Sequence, residues 1–165
     1  MFLSREGLVL RGGITVGEFY ADEDLVFGKG LIRAVELEEN DAQFPRIIID
    51  EDKFTISLSS FVDNGDLIRD FDGQYFVNYF RVGGLKLIKG QCINLINAYC
   101  QYERNVKDAG KIAQAEKIFN KYLWLLTRFN SQCTRIGVAD LKIEYEIRIN
   151  ERICKTEIFA KPLRD

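Results

Sequence analysis

The chain has 165 residues, 47% of them hydrophobic and 29% charged, with a formal net charge of −2. That length suits one domain whose core needs no staples, and the charge argues against a nucleic-acid surface built on bulk positive charge. There is no histidine, so Ser-His-Asp, Cys-His and histidine acid-base chemistries are excluded.

The four cysteines, Cys92, Cys100, Cys133 and Cys154, have no CxxC spacing. They argue against structural zinc and read as small apolar residues of a reduced, cytoplasmic protein. No apolar run approaches the ~20 residues that cross a bilayer. Residues 1–10, broken by Arg5, Glu6 and Gly7, do not read as a signal peptide.

Residues 8–16 read as a strand covered on both faces. The run is apolar, Val9, Ile14 and Val16 are β-branched, and Gly12 and Gly13 interrupt it where a neighbouring backbone or ligand comes close. Asp22, Glu23 and Asp24 make an acidic turn. Leu25, Val26 and Phe27 form a second strand, and Gly28, Lys29 and Gly30 release the chain into a helix on which Leu31, Ala34, Val35 and Glu38 keep helical spacing. Residues 40–44 are a polar break, and Pro45 opens the short strand PRIIID, where a proline costs no interior ladder bond. Residues 51–63 are ambiguous, since Phe54, Ile56 and Leu58 alternate as in a strand while Ile56, Ser59, Ser60 and Asp63 fit a short helix.

Asp63, Asn64 and Gly65 make a turn. Residues 67–71 and 74–80 then flank Asp72 and Gly73, a pair suited to a two-residue hairpin, and Gly83, Gly84 and Gly90 bracket the loop that follows. Ile93, Ile96, Tyr99 and Cys100 mark one helix, ending near residues 107–110. Ile112, Ala115, Phe119, Tyr122, Leu126 and Phe129 form the apolar stripe of the next. Two such helices pack as an antiparallel hairpin, with an intermolecular coiled coil as the alternative. Beyond Gly137, Leu141, Ile143, Tyr145, Ile147 and Ile149 alternate with charged residues, the pattern of a half-exposed strand. Residues 153–159 are its hairpin partner across Asn150 and Glu151. The reading is a single α+β domain over residues 1–165.

RGGITVGE followed by LVFGKGLIRAVELE resembles the second half of class III nucleotidyl cyclase domains, in which an arginine-glycine strand leads through a hairpin to a glycine-headed helix. The likeness is nearest to the bacterial branch that includes the pyrimidine cyclases of the Pycsar anti-phage system. That branch's proline-arginine-isoleucine strand, Asp-Gly-aromatic hairpin and late Lys-Tyr-x-Trp-Leu helix are matched by residues 45–49, 72–76 and 121–125. The resemblance implies part of a ferredoxin-like cyclase-type sheet with packed helices, followed by a helical hairpin and a C-terminal β-ribbon. It also favours the helix within residues 51–63.

Such domains convert a nucleoside triphosphate to a 3′,5′-cyclic monophosphate and pyrophosphate, using two metal ions held by two aspartates. In the family both aspartates lie upstream of the arginine-glycine strand, and here only ten residues precede Arg11. The resemblance therefore implies a C-terminal half without metal ligands, inactive alone, whose apolar first strand is an open edge. A complementing N-terminal half or a second copy would complete it, and Mn²⁺ or Mg²⁺ would enter only then.

On the helix, the family's transition-state asparagine and arginine map onto Ile32 and Glu36. The resemblance makes Glu36, a glutamate common in the Pycsar-like branch, and the adjacent Arg33 the catalytic candidates. It makes Arg11, Leu25, Phe27 and Gly28 the substrate-binding ones, with apolar Leu25 at the base-selecting position, compatible with a pyrimidine. The plain structural alternatives are a solvated helix face for Arg33 and Glu36, an ion pair of Arg11 with Glu18 or a nearby carboxylate, and a core position for Leu25. Asp70 and Asp72 are a metal pair only in a permuted fold. Gly28-Lys29-Gly30 lacks phosphate-loop spacing, and Tyr122 and Trp124 read as core. The expected function is a cyclase-like domain of the type that makes cyclic CMP or UMP for anti-phage signalling, with a nucleoside triphosphate as ligand and neither nucleic acid nor membrane as partner. The alternatives are a non-catalytic interaction or ligand-binding module on the same scaffold, and an unrelated α+β binding protein, which predicts no unpaired central strand.

Overall fold

A computed structural model of the protein describes residues 10–54, 56–81, 85–104, 109–150 and 155–160. The chain is mixed α and β and divides into two compact units, Val9–Val82 and a second formed by Gly83–Asp165 with Met1–Leu8.

The Val9–Val82 unit is built on a four-stranded mixed sheet. Its strands are β1 (Gly12–Ile14), β4 (Ile47–Ile49), β5 (Leu67–Arg69) and β6 (Tyr75–Val77), in the order β1-β4-β6-β5. β1 and β4 are parallel, so the chain between them crosses over. The crossover carries a short hairpin of β2 (Tyr20–Ala21) and β3 (Val26–Phe27), then helix α1 (Lys29–Glu36) with a π-helical turn over Leu37–Asp41. Register puts Gly13, Ile48 and Phe76 side by side on one face of the sheet. Leu37 closes on this face so tightly that a Cβ at Gly13 would lie 2.6 Å from the Leu37 Cβ. On the other face Ile49, Leu58 and Leu67 form a core cluster with Phe54, Val62, Tyr75 and Val77 packed against it. Leu58 and Val62 are brought there by α2 (Ser59–Asp63) and the turn before it.

The strand expected over residues 8–16 contracts to Gly12–Ile14 among the described residues, and its expected burial on both faces is corrected. Ile14 and Val16 are exposed, because β1 stands at the sheet edge rather than inside it. The short helix preferred within residues 51–63 is present as α2, preceded by a 3-10 turn at Glu51–Lys53. The Asp72-Gly73 hairpin is present with a longer loop. Asp70 closes it by donating its N–H to the Gln74 carbonyl at 2.8 Å, and Gly73 takes φ 86°. That is a turn followed by a left-handed glycine rather than a two-residue turn.

The second unit holds the helical hairpin and the ribbon. Helix α3 (Leu85–Arg104) and helix α4 (Ala109–Arg135) pack on each other, and Gly90, read as a loop residue, lies inside α3. Ile88, Cys92, Ile93 and Ile96 of α3 are buried, as are Phe119, Trp124, Leu125, Leu126, Phe129 and Cys133 of α4. Gly137 (φ 76°) ends α4. The Val138 N–H reaches back to the Cys133 carbonyl at 2.9 Å and the Gly137 N–H to the Thr134 carbonyl at 3.2 Å, satisfying carbonyls the helix cannot. The Asn130 amide then fastens the segment before β7, donating to the Ile143 carbonyl at 2.9 Å and accepting the Ile143 N–H at 2.8 Å. Strands β7 (Tyr145–Asn150) and β8 (Lys155–Ala160) form the expected antiparallel ribbon, and β8 packs along α3 and α4. Its connecting residues 151–154 lie outside the described ones, as do Cys154 and the side chain of Cys100. Among the described residues, no helix is long and apolar enough to cross a membrane.

Candidate functional site

Two parallel strands that end side by side place the residues after them at the carboxyl edge of the sheet, where open α/β sheets gather polar groups. Here those residues are Thr15, just past β1, and Asp50, just past β4. The Asp50 N–H donates to the Ile14 carbonyl at 2.9 Å and continues the ladder one step beyond both strands. The Asp50 side chain is 4% exposed. It accepts the Thr15 hydroxyl at 2.7 Å and a two-pronged contact from Arg33 of α1, Nε to Oδ2 and Nη2 to Oδ1, each 3.0 Å. The other side of the guanidinium approaches Glu36, with Nη1 3.7 Å from Oε2. A bidentate charged pair of this kind fixes direction as well as distance. The Arg33 hydrogen bonds hold the Asp50 carboxyl below its usual range despite burial, and Asp50 in turn raises the Arg33 pKa.

Arg33 and Glu36, singled out from sequence as catalytic candidates, are therefore neighbours in one charged row on α1, with Asp50 and Thr15 as partners the sequence reading did not name. Asp50 carried a signal in retrospect: it is the one acid at the end of the β-branched run PRIIID.

The substrate-binding candidates fall elsewhere. Arg11 pairs with Glu38, not with Glu18, which instead sits 3.2 Å from Lys29. Leu25 and Phe27 are 53% exposed on the β2–β3 hairpin, so the core position offered as the alternative for Leu25 is not what the fold gives it. The Phe27 ring lies 5.0 Å from that of Tyr20. The hairpin's turn is locked by Asp22, whose Oδ1 accepts the N–H groups of Asp24 (3.0 Å) and Leu25 (2.8 Å) and whose Oδ2 accepts the Tyr20 hydroxyl (2.8 Å). The Tyr20 bond first, then the two backbone donors, keep its carboxyl below the usual range.

Gly28 has a packing role. At φ 148° it lies against Glu18 so closely that any Cβ would collide with the Glu18 carbonyl oxygen. Gly30 donates its N–H to that same oxygen at 2.9 Å, and a Cβ on Gly17 would come within 2.8 Å of the Gly30 Cα. The three glycines thus form a joint where the hairpin's base meets the start of α1.

A second buried charge cluster explains Asp70 and Asp72. Arg46, fully buried at the start of β4, donates to both carboxylates, with its Nη1 3.0 Å from Asp72 Oδ1 and shorter contacts to Asp70 Oδ2 and Asp72 Oδ2. Its guanidinium also lies 5.4 Å from the centre of the Phe44 ring. Burial opposes charge on both partners, yet their hydrogen bonds prevail, raising the Arg46 pKa and lowering that of Asp72.

These pairings decide how far the residues fit the two-metal chemistry that the resemblance implies. Two cations need carboxylate oxygens free to face them. Asp50 is turned to Arg33 and Thr15, and Asp70 and Asp72 to Arg46. Among the described residues, no three acidic or cysteine side chains gather in a way that would hold a metal ion. The donor sets present do not fit such a cage.

No family model, no curated protein and no solved structure matches this chain.

Proposed function

We propose that this protein is a nucleotidyl cyclase-like scaffold of the pyrimidine-cyclase type, catalytically silent by itself, that acts when a further polypeptide segment supplies a strand with the metal-holding carboxylates. The observation that carries the reading is the open side of β1. Gly12 donates to the Arg46 carbonyl at 3.2 Å and Ile14 accepts from Asp50, so the alternation of a parallel ladder turns the backbone groups of Gly13 away from β4. Among the described residues no strand pairs with that side. A sheet edge of this kind in an apolar sequence is a template for another strand.

The ferredoxin-like arrangement and the nucleotide site belong to this proposal. In it, Arg33 and Glu36 face the triphosphate, Arg11, Leu25, Phe27 and Gly28 border the base, and Mn²⁺ or Mg²⁺ comes with the added strand. The part this chain plays is orientation: Asp50 and Thr15 hold the Arg33 fork in one direction. A second reading, a non-catalytic interaction module on the same scaffold, is favoured by the engagement of Arg33 with Asp50 and Glu36 rather than with open solvent.

The test is turnover of CTP, UTP, ATP and GTP with Mn²⁺. The chain alone is expected to release no pyrophosphate. Together with a polypeptide that carries two metal-binding aspartates on a strand, it is expected to form a cyclic pyrimidine nucleotide. Turnover by the chain alone overturns the silent-scaffold claim, and silence of the combination with all four triphosphates overturns the cyclase reading in favour of the module.

A further inference from the structure

Helix α1 is amphipathic, but it is mounted with its apolar side outward. Leu37 packs on the sheet at Gly13, whereas Leu31, Ile32 and Val35 are 37%, 61% and 46% exposed. The hairpin before it repeats the pattern, with Phe19, Tyr20, Leu25, Val26 and Phe27 all about half exposed or more. An amphipathic surface helix ordinarily turns its stripe to a core, and contiguous apolar patches on a free surface mark interaction sites.

The charges around this surface say what fits it. The hairpin tip carries Asp22, Glu23 and Asp24, and the far end of α1 carries Glu36, Glu38 and Glu39, against few cations. The whole Val9–Val82 unit has 15 acidic and 7 basic residues, while the other unit has 10 acidic and 16 basic. A near-neutral chain is thus divided into an acidic half and a basic half. Two copies of the acidic face would repel each other, as would this face and an anionic membrane.

We propose that the apolar, acid-rimmed surface formed by α1 and the β2–β3 hairpin binds the basic helical unit of a second copy of this chain, joining copies through unlike faces. The contact is distinct from the β1 edge, and because it covers Leu25 and Phe27 it competes with the nucleotide site of the proposed function. Lys117 and Lys121, one helical turn apart on α4, supply part of the positive surface.

The experiment is sedimentation velocity on the purified chain across concentration and salt. Reversible association is expected, weakening by about tenfold or more in affinity between about 50 mM and about 500 mM salt as the charges are screened. Ile32→Asp with Val35→Asp, at exposed positions, is expected to give a monomer with an unchanged melting temperature, and so is Lys117→Glu with Lys121→Glu. Mixing the two monomeric variants is then expected to restore a dimer, because each retains the face the other lost. A parent chain that stays monomeric at about 100 μM in low salt contradicts the proposal. So does association that survives the α1 pair of substitutions, and so does failure of the two variants to complement, which indicates like-on-like contact or another occupant.

Discussion

Asp50 is the residue on which the carboxyl edge of the sheet depends. Its folded pKa is depressed, first by the hydrogen bonds from Arg33 and further by Thr15, against the opposing effect of burial. A depressed carboxyl contributes stability above its unfolded pKa, about 3.9, and loses it as the pH falls through the folded value. The parent protein is therefore expected to hold its denaturation midpoint down to about pH 5 and to lose stability below about pH 4. Asp50→Asn should start lower at neutral pH and fall less steeply with acid, read from urea midpoints across pH. Equal slopes in the two proteins would contradict the role given to Asp50. At the other cluster, Arg46→Met leaves the buried Asp70 without its cation, while Asp72 stands at the surface. Removing one partner of a buried ion pair costs about 3–5 kcal/mol, and the denaturation midpoint should drop accordingly. A loss under about 1 kcal/mol would mean that both carboxylates reach water without Arg46.

At the scale of elements, local chemistry was legible where one residue type forces one geometry. The Asp22 turn, the proline-led β4, the Asp72-Gly73 hairpin, the paired helices and the period-two ribbon could each be read from short-range pattern. What was misread depends on neighbours. An apolar β-branched run looks the same buried or at an edge, so residues 8–16 were read as covered when β1 is a three-residue edge strand. Likewise Leu25 looks like core from its type alone, but the Asp22-locked turn projects it outward. Gly90 punctuates a sequence but sits within α3, where a side chain would meet open space. In the charged row, Arg33 and Glu36 were singled out only because the resemblance marks those positions on the helix. Asp50 and Thr15 join them only through the parallel pairing of β1 and β4, a contact 35 residues apart in sequence that no local pattern announces.

For the molecule as a whole, three features meet in the Val9–Val82 unit: a β1 side that no strand pairs with among the described residues, a helix with its apolar stripe turned outward, and a surplus of acid. Each is costly in an isolated domain, through exposed apolar area or self-repulsion, and each is relieved by a partner. In the proposals above, the open edge would take a strand and the outward stripe a basic surface of a second copy. The central claim is that β1 offers its free side to another chain. Residue-resolved amide hydrogen exchange tests it most directly, at a dilution where sedimentation shows only monomer. The Gly12 amide, bonded to Arg46, should exchange about tenfold or more slowly than that of Gly13 after correction for sequence. Equal protection of Gly12 and Gly13 in the monomer would show that the edge is already paired and would contradict the account.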